Sequence, residues 1–296
     1  MSLVMKFGGS SVATARDMER AATLVESSLD QAPVVIISAI AGVTNSLSEL
    51  PFQSDAMRTE NRTHLEAIHM NVAEDLFGKP LPPGLDDAMA SVFDSLDSDM
   101  ALLRATGFDE SVAETLLTYG EQLALTLFAT YLFQRHCDLR RVDARQVIRL
   151  NALGAVDTEP TRTAVTTQVR PVVRPGRAVL LEGFIASDVT GRPCTLGRDG
   201  SDYTAALLAR FLDAEKLEIW TDVPGVFTHD PRSEPEAQWI PEMTFEDALD
   251  LAERGASVLH ARAIEELREA GIPIRVRSCR DPAGDSTLIH LRRHSS

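Results

Sequence analysis

Cysteine is scarce in this 296-residue chain: Cys137, Cys194 and Cys279 stand far apart and form no Cys-x-x-Cys pair. That argues against a disulfide framework and against a thiolate zinc site. Positive charge is also in short supply, with 29 Lys and Arg against 44 Asp and Glu and a net charge of −15. Such a balance repels a phosphate backbone, so nucleic acid is not an expected partner, whereas a small phosphorylated ligand needs only a few local cations. No apolar run approaches the roughly 20 residues that span a bilayer. Residues 1–6 lead directly into a strand-like segment, without the charged region, apolar stretch and cleavage site of a secretion signal. The expectation is a cytoplasmic protein with no membrane partner. There are seven histidines, but His64 and His69 are five apart, not the four of a helical metal pair. They read as exposed helix residues, and no metal-ligand set emerges.

What is present is an ordinary globular hydrophobic fraction of 44 %, sufficient for a substantial core. Residues 3–7 form a short apolar run that turns through Gly8-Gly9-Ser10-Ser11. Met18, Ala21, Ala22, Val25 and Leu29 then recur at helical spacing. Residues 33–40 are a continuous Val/Ile run, the pattern of a strand buried on both faces, and end in a loop at 41–45. Strand, loop, helix, strand is the opening of a parallel sheet with right-handed crossovers. Residues 61–136 read as helical, with a stripe at Leu65, Ile68, Val72 and Leu76 and a longer, more apolar one at 113–133. A proline-rich break at 79–84 separates two of these helices. Residues 151–177 read as loops with one short helix. Alternation then resumes with strand 178–185, helix 202–212 and strand 217–221. A helix at 244–254 opens on a Thr244/Asp247 capping box and stops at Gly255; another at 258–270 is closed by Gly271 and precedes strand 272–277. With no internal repeat and no strong linker, the chain reads as one bilobed α/β catalytic unit.

Three segments carry candidate chemistry. In Lys6-Phe7-Gly8-Gly9-Ser10-Ser11, between a strand and a helix, the glycines let backbone N–H groups approach an anion, and the lysine adds a point charge. The lysine precedes the glycines, so this is not a P-loop, and G-x-G-x-x-G is absent. Taken alone, the hexapeptide is equally well a glycine turn with a solvated lysine. In Thr195-Leu196-Gly197-Arg198-Asp199-Gly200-Ser201-Asp202, glycines bracket an arginine that offers a fork to a carboxylate or phosphate. Ser201 or Asp202 is expected to cap the following helix, and Asp202 to orient a metal's waters or the lysine. Residues 220–232 end a strand in a Pro-Gly turn and an Asp-Pro-Arg corner, where ligands sit in open α/β sheets.

Together with residues 38–45, Gly120-Glu121-Gln122-Leu123, Gly183-Phe184-Ile185 and 258–260, these segments occur in the order seen in aspartokinases. The chain resembles an aspartokinase catalytic domain of the amino-acid kinase family over essentially its whole length, and the combination is specific although each motif alone is not. The resemblance implies a three-layer α/β/α sandwich around a mostly parallel eight-stranded sheet. Residues 1–177 would form an amino-acid-binding lobe and 178–296 a nucleotide-binding lobe. The implied reaction is ATP-dependent phosphorylation of the β-carboxylate of L-aspartate, with ATP and Mg²⁺ as cofactors, in a homodimer. Lys6 would stabilise the moving γ-phosphoryl group beside Asp202, with Gly8, Gly9 and Ser10 at the phosphates. Thr44, Glu121, Arg198 and Ser201 would hold the amino acid, Glu121 at its ammonium and Arg198 at its α-carboxylate. Thr221, Asp222, Phe227 and Arg232 match the nucleotide stretch, and Mg²⁺ would be held mainly by the ATP phosphates. A carboxylate with a reference pKa of about 3.9 is already ionised at neutral pH, so no general base is required.

Some positions depart from the pattern. Ser257 stands where many members carry a lysine near the phosphates, Ala261 replaces a common proline, Asp199 stands where glycine is frequent, and Phe227 stands where tyrosine is frequent. The sequence ends soon after residues 281–289, where typical members continue into ACT regulatory domains, so the expectation is an enzyme without built-in feedback by lysine or threonine. Two alternatives stay open: a related kinase of another or modified amino acid, and a non-catalytic regulatory or binding paralogue.

Overall fold

The computed structural model describes residues 2–229, 234, 236–254 and 259–291. Arg232, Gly255 and Ser257 lie outside the described residues. The centre is an eight-stranded sheet ordered Glu242–Thr244, Ser286–His290, Ile274–Ser278, Lys216–Thr221, Leu3–Phe7, Pro33–Ile37, Ala178–Glu182 and Leu139–Arg141. Every neighbouring pair is parallel except Ile274–Ser278 with Ser286–His290. Side chains alternate across it as a pleated strand requires. Leu3, Met5 and Phe7 enter one core with Val35, Ile37 and Leu180, under helices Ala15–Ser27, Asp55–Phe77, Leu85–Thr106 and Tyr119–Gln134. Val4, Val34, Ile36 and Leu181 enter the other, under Gly200–Leu212, Phe245–Glu253 and Ala261–Ala270. Helix, sheet, helix is the expected three-layer architecture.

Several boundaries differ from the sequence reading. The Val/Ile strand ends at Ile37, because residues 38–42 turn away at the sheet's edge. The 178–185 run is two strands: Ala178–Glu182 stays in the main sheet, while Ile185–Ser187 pairs with Pro193–Thr195. Between them Phe184 has φ +66°, a left-handed residue that redirects the chain. The 113–133 stripe is two helices, Glu110–Leu117 and Tyr119–Gln134, meeting at Thr118. In 151–177 the helix Thr158–Ala164 runs on through a π turn to Val169. The last helix begins at Ala261, not at 258, with His260 as its N-cap. The Thr244/Asp247 capping box forms, and Gly271 closes the last helix in the left-handed conformation.

His69 is a correction. It is fully buried and edge-on to Phe93 rather than exposed, with Nδ1 2.7 Å from the Leu65 carbonyl. One turn after Leu65 and three residues before Val72, it falls on the stripe that faces the core. Burial pushes its pKa down to about 4.

Candidate functional site

Six neighbouring strands of the main sheet, from Ile274–Ser278 across to Leu139–Arg141, run in one direction and deliver their loops to one edge, where ligands of open α/β sheets bind. Lys6 is the penultimate residue of Leu3–Phe7 and points to the face covered by Gly200–Leu212. Its Nζ lies 2.6 Å from Asp202 Oδ1, with the side chains only 14 % and 6 % exposed. The pair joins residues 196 positions apart at the junction of the central strand and a helix N-terminus.

The glycine turn after the strand is a short 3₁₀ turn, Gly9–Ser11. A Cβ on Gly9 would lie 2.8 Å from the Ala39 carbonyl, so only glycine lets the two loops approach. The Gly8 N–H donates to the Trp220 carbonyl at 3.2 Å, which takes away one of the two backbone donors expected for an anion. The first amides of the 3₁₀ turn, at Gly9 and Ser10, have no acceptor within the turn and remain as the loop's donors.

Glu121, in the first turn of Tyr119–Gln134, is 3 % exposed. Its Oε1 accepts the Ala39 N–H at 3.2 Å, while Oε2 has no partner. Burial pushes this carboxyl up to about 8, reinforced by the Glu182 carboxylate and opposed by Lys6 and the Ala39 N–H. A buried carboxylate oxygen without a donor calls for a cation.

The helix expected at 202 begins at Gly200, so Ser201 and Asp202 sit inside its first turn and do not cap it. Asp199 is the N-cap, at φ +55° and without a side-chain capping bond. A Cβ on Gly200 would meet Phe184 Cδ2 at 2.7 Å and Leu196 Cβ at 2.9 Å, and this packing places the helix start. Arg198 extends from the loop with its side chain 91 % exposed and Asp199 Oδ2 3.5 Å away.

Lys6, Gly9, Thr44, Glu121, Arg198, Ser201 and Asp202 all line one cleft of about 520 Å³. Gly8, Ser10, Thr221, Asp222 and Phe227 are not on its wall. Ser10 Oγ and Thr221 Oγ1 both donate to Asp222 Oδ1, at 3.4 and 3.2 Å, on the flank of the same glycine turn. Phe227 pairs with Trp239 in a two-stranded ribbon just beyond. Among the described residues no group of three or more His, Cys, Asp or Glu side chains is arranged to hold a metal ion.

The cleft also has walls to which the sequence reading gave no role: Leu117, which it did not single out, and Thr195 and Phe184, which it named only within their motifs. Phe184 is held by its N–H donating to Thr204 Oγ1 at 3.1 Å and its carbonyl accepting the Leu196 N–H at 2.9 Å. A left-handed phenylalanine leaves no mark in the sequence, because Gly, Asn and Asp are the residues that usually signal that conformation.

Comparison with known proteins agrees with this fold. Residues 1–278 match the model of the amino acid kinase family. The lysine-sensitive aspartokinase 3 of Escherichia coli (strain K12) is 34 % identical over 291 residues, 97 % of this chain and 64 % of that protein. The aspartokinase of Chlamydia trachomatis is 32 % identical over 97 % of this chain and 64 % of its own length. The crystal structure of E. coli aspartokinase III in complex with aspartate and ADP superposes with a TM-score of 0.93 at 33 % identity, covering all of this chain and 66 % of that one. The chain thus spans just under two thirds of the length of these relatives.

Proposed function

The chain belongs to the amino acid kinase family, and within it we propose that it transfers the γ-phosphoryl group of ATP to the β-carboxylate of L-aspartate, giving 4-phospho-L-aspartate and ADP. The observation that carries this reading is the shared cleft, in which a lysine–aspartate pair and a buried, half-unsatisfied glutamate line the same space. The unpartnered Glu121 oxygen would accept the α-ammonium group. Arg198 would fold in from the rim onto the α-carboxylate, with Thr44 and Ser201 beside it. The β-carboxylate attacks phosphorus, the bond to the bridging oxygen of ADP breaks, and no proton has to be removed from the nucleophile. Lys6 would neutralise charge on the moving phosphoryl group, and Asp202 would hold that ammonium in place.

The nucleotide would lie on the other side of Lys6, with its phosphates at Gly9 and Ser10 and its base and ribose toward Thr221, Asp222 and Phe227. Gly8 would then serve the turn's geometry, not phosphate binding. Mg²⁺ would be carried by the phosphates with Asp202 adjacent, and would supply charge neutralisation there. In this reading residues 1–177 serve mainly the acceptor and 178–296 mainly the nucleotide, although Arg198 and Ser201 reach across to the acceptor. The family likeness also suggests a homodimer, which light scattering would test.

Hydroxylamine trapping in the presence of ATP, Mg²⁺ and L-aspartate tests substrate and reaction class together. Hydroxamate should form in step with ADP. ADP release without hydroxamate, or turnover with a different acceptor only, would overturn the assignment. Lys6→Ala should lower kcat by about 10²–10³ with the fold retained.

A further inference from the structure

Arg262 lies outside the cleft's wall, yet its side chain reaches the loop that carries Arg198. It sits in the first turn of Ala261–Ala270, with its N–H donating to His260 Nδ1 at 3.2 Å. Its guanidinium donates to the Leu196 carbonyl at 3.0 Å and lies over the Tyr203 ring, with Cζ 4.9 Å from the centroid. Leu196 directly precedes the Gly197-Arg198-Asp199 turn, and Tyr203 lies in the first turn of the helix that follows it. One planar cation thus grips both ends of the loop.

The loop needs such a hold. Gly197 and Asp199 both have positive φ, and Asp199 makes no side-chain capping bond. Arg198 itself is nearly fully exposed, and it lines a second, smaller cavity of about 210 Å³ bounded by Glu253 and His260 as well as the main cleft. Its side chain therefore has two spaces to occupy, and the backbone position decides how readily it reaches the first.

We infer that Arg262 is a positioning residue: by tying Leu196 to Tyr203 it fixes the loop from which Arg198 closes on the acceptor's α-carboxylate. This rests on the aspartate reading above. Arg262 touches neither reactant; it lowers the cost of ordering Arg198 when substrate binds. Arginine suits the task because its plane stacks on a ring while its N–H groups reach a carbonyl, a combination lysine lacks.

The test compares wild type, Arg262→Ala and Arg262→Lys, each also in an Arg198→Ala background. Arg262→Ala should raise the aspartate KM about tenfold, the loss of one well-aligned hydrogen bond to the loop, while kcat and the ATP KM change less than about twofold. Arg262→Lys should recover only part of the difference. In the Arg198→Ala background the Arg262 substitution should add little, because its route of action is already gone. Equal losses in kcat and both KM values, or full additivity with Arg198→Ala, would reduce Arg262 to a structural contact. Hydrogen exchange across residues 195–203 gives a readout without turnover, and Arg262→Ala should speed it severalfold. If wild type failed to turn over aspartate, the substrate reading would fall and the exchange result alone would decide the anchor. Unchanged exchange would overturn it.

Discussion

Burial keeps the Glu121 carboxyl near 8, so at neutral pH the free site holds a proton there that a substrate ammonium group must displace. The apparent affinity for aspartate should therefore fall as pH drops below 8, approaching tenfold per unit, and level off above it. Glu121→Gln should remove that slope and weaken binding at pH 8. A flat KM profile between pH 6 and 8 would show that Glu121 does not meet the ammonium group. For folding, the raised pKa means that Glu121's favourable contribution is complete below about 4.5, the ordinary glutamate value, and is lost as pH rises through 8. His69 acts in the opposite sense. Its folded pKa near 4 lies below the ordinary 6.5, so the unfolded chain takes up the proton first and stability falls as pH drops from 6.5 toward 4. By pH 5 the loss is roughly 2 kcal/mol, and His69→Phe should reduce the difference between urea midpoints measured at pH 7 and pH 5. Both residues sit in legible helices, and both pKa shifts come from burial, which depends on what the rest of the chain stacks over them.

At the scale of elements, the loops are more constrained than the helices they join. Gly200→Ala would press a methyl group against Phe184 and Leu196, and should cost about 1–3 kcal/mol in thermal unfolding while weakening aspartate binding through the Arg198 loop. Thr244→Ala removes a complete capping box remote from the cleft. It should cost about 1 kcal/mol and leave kcat/KM unchanged. The capping box and the Gly271 stop were readable because Thr, Asp and Gly act on their own local backbone. The strand break at Phe184 was not, because that residue is held in the left-handed region by Thr204 and Leu196, contacts made after the fold forms.

For the whole molecule, the central strand Leu3–Phe7 lies between Pro33–Ile37 and Lys216–Thr221. Residues 1–177 by themselves would leave that strand with an open edge and would strip helix Gly200–Leu212 from the face that carries Val4, Val34 and Ile36. Expressed alone, that segment should lack a cooperative unfolding transition, whereas the full chain should show one main transition by calorimetry. A cooperative fragment would mean that the proposed acceptor lobe is a domain in its own right.

The residues by themselves determined the class of this protein: buried Val/Ile runs alternating with amphipathic stretches can satisfy their backbone and hide their apolar faces only as a parallel sheet between helix layers. They also marked Arg198, since an arginine between glycines is hard to explain otherwise, whereas Lys6 gained its reading only beside the other motifs and Glu121 only through the resemblance to aspartokinases. The tertiary structure alone decided that Lys6 meets Asp202, that Gly8 spends its N–H on Trp220, that Glu121 keeps one oxygen bare, and that Arg262 reaches the Arg198 loop. Each of those facts joins segments far apart in sequence, and local propensity carries no information about which distant group will arrive.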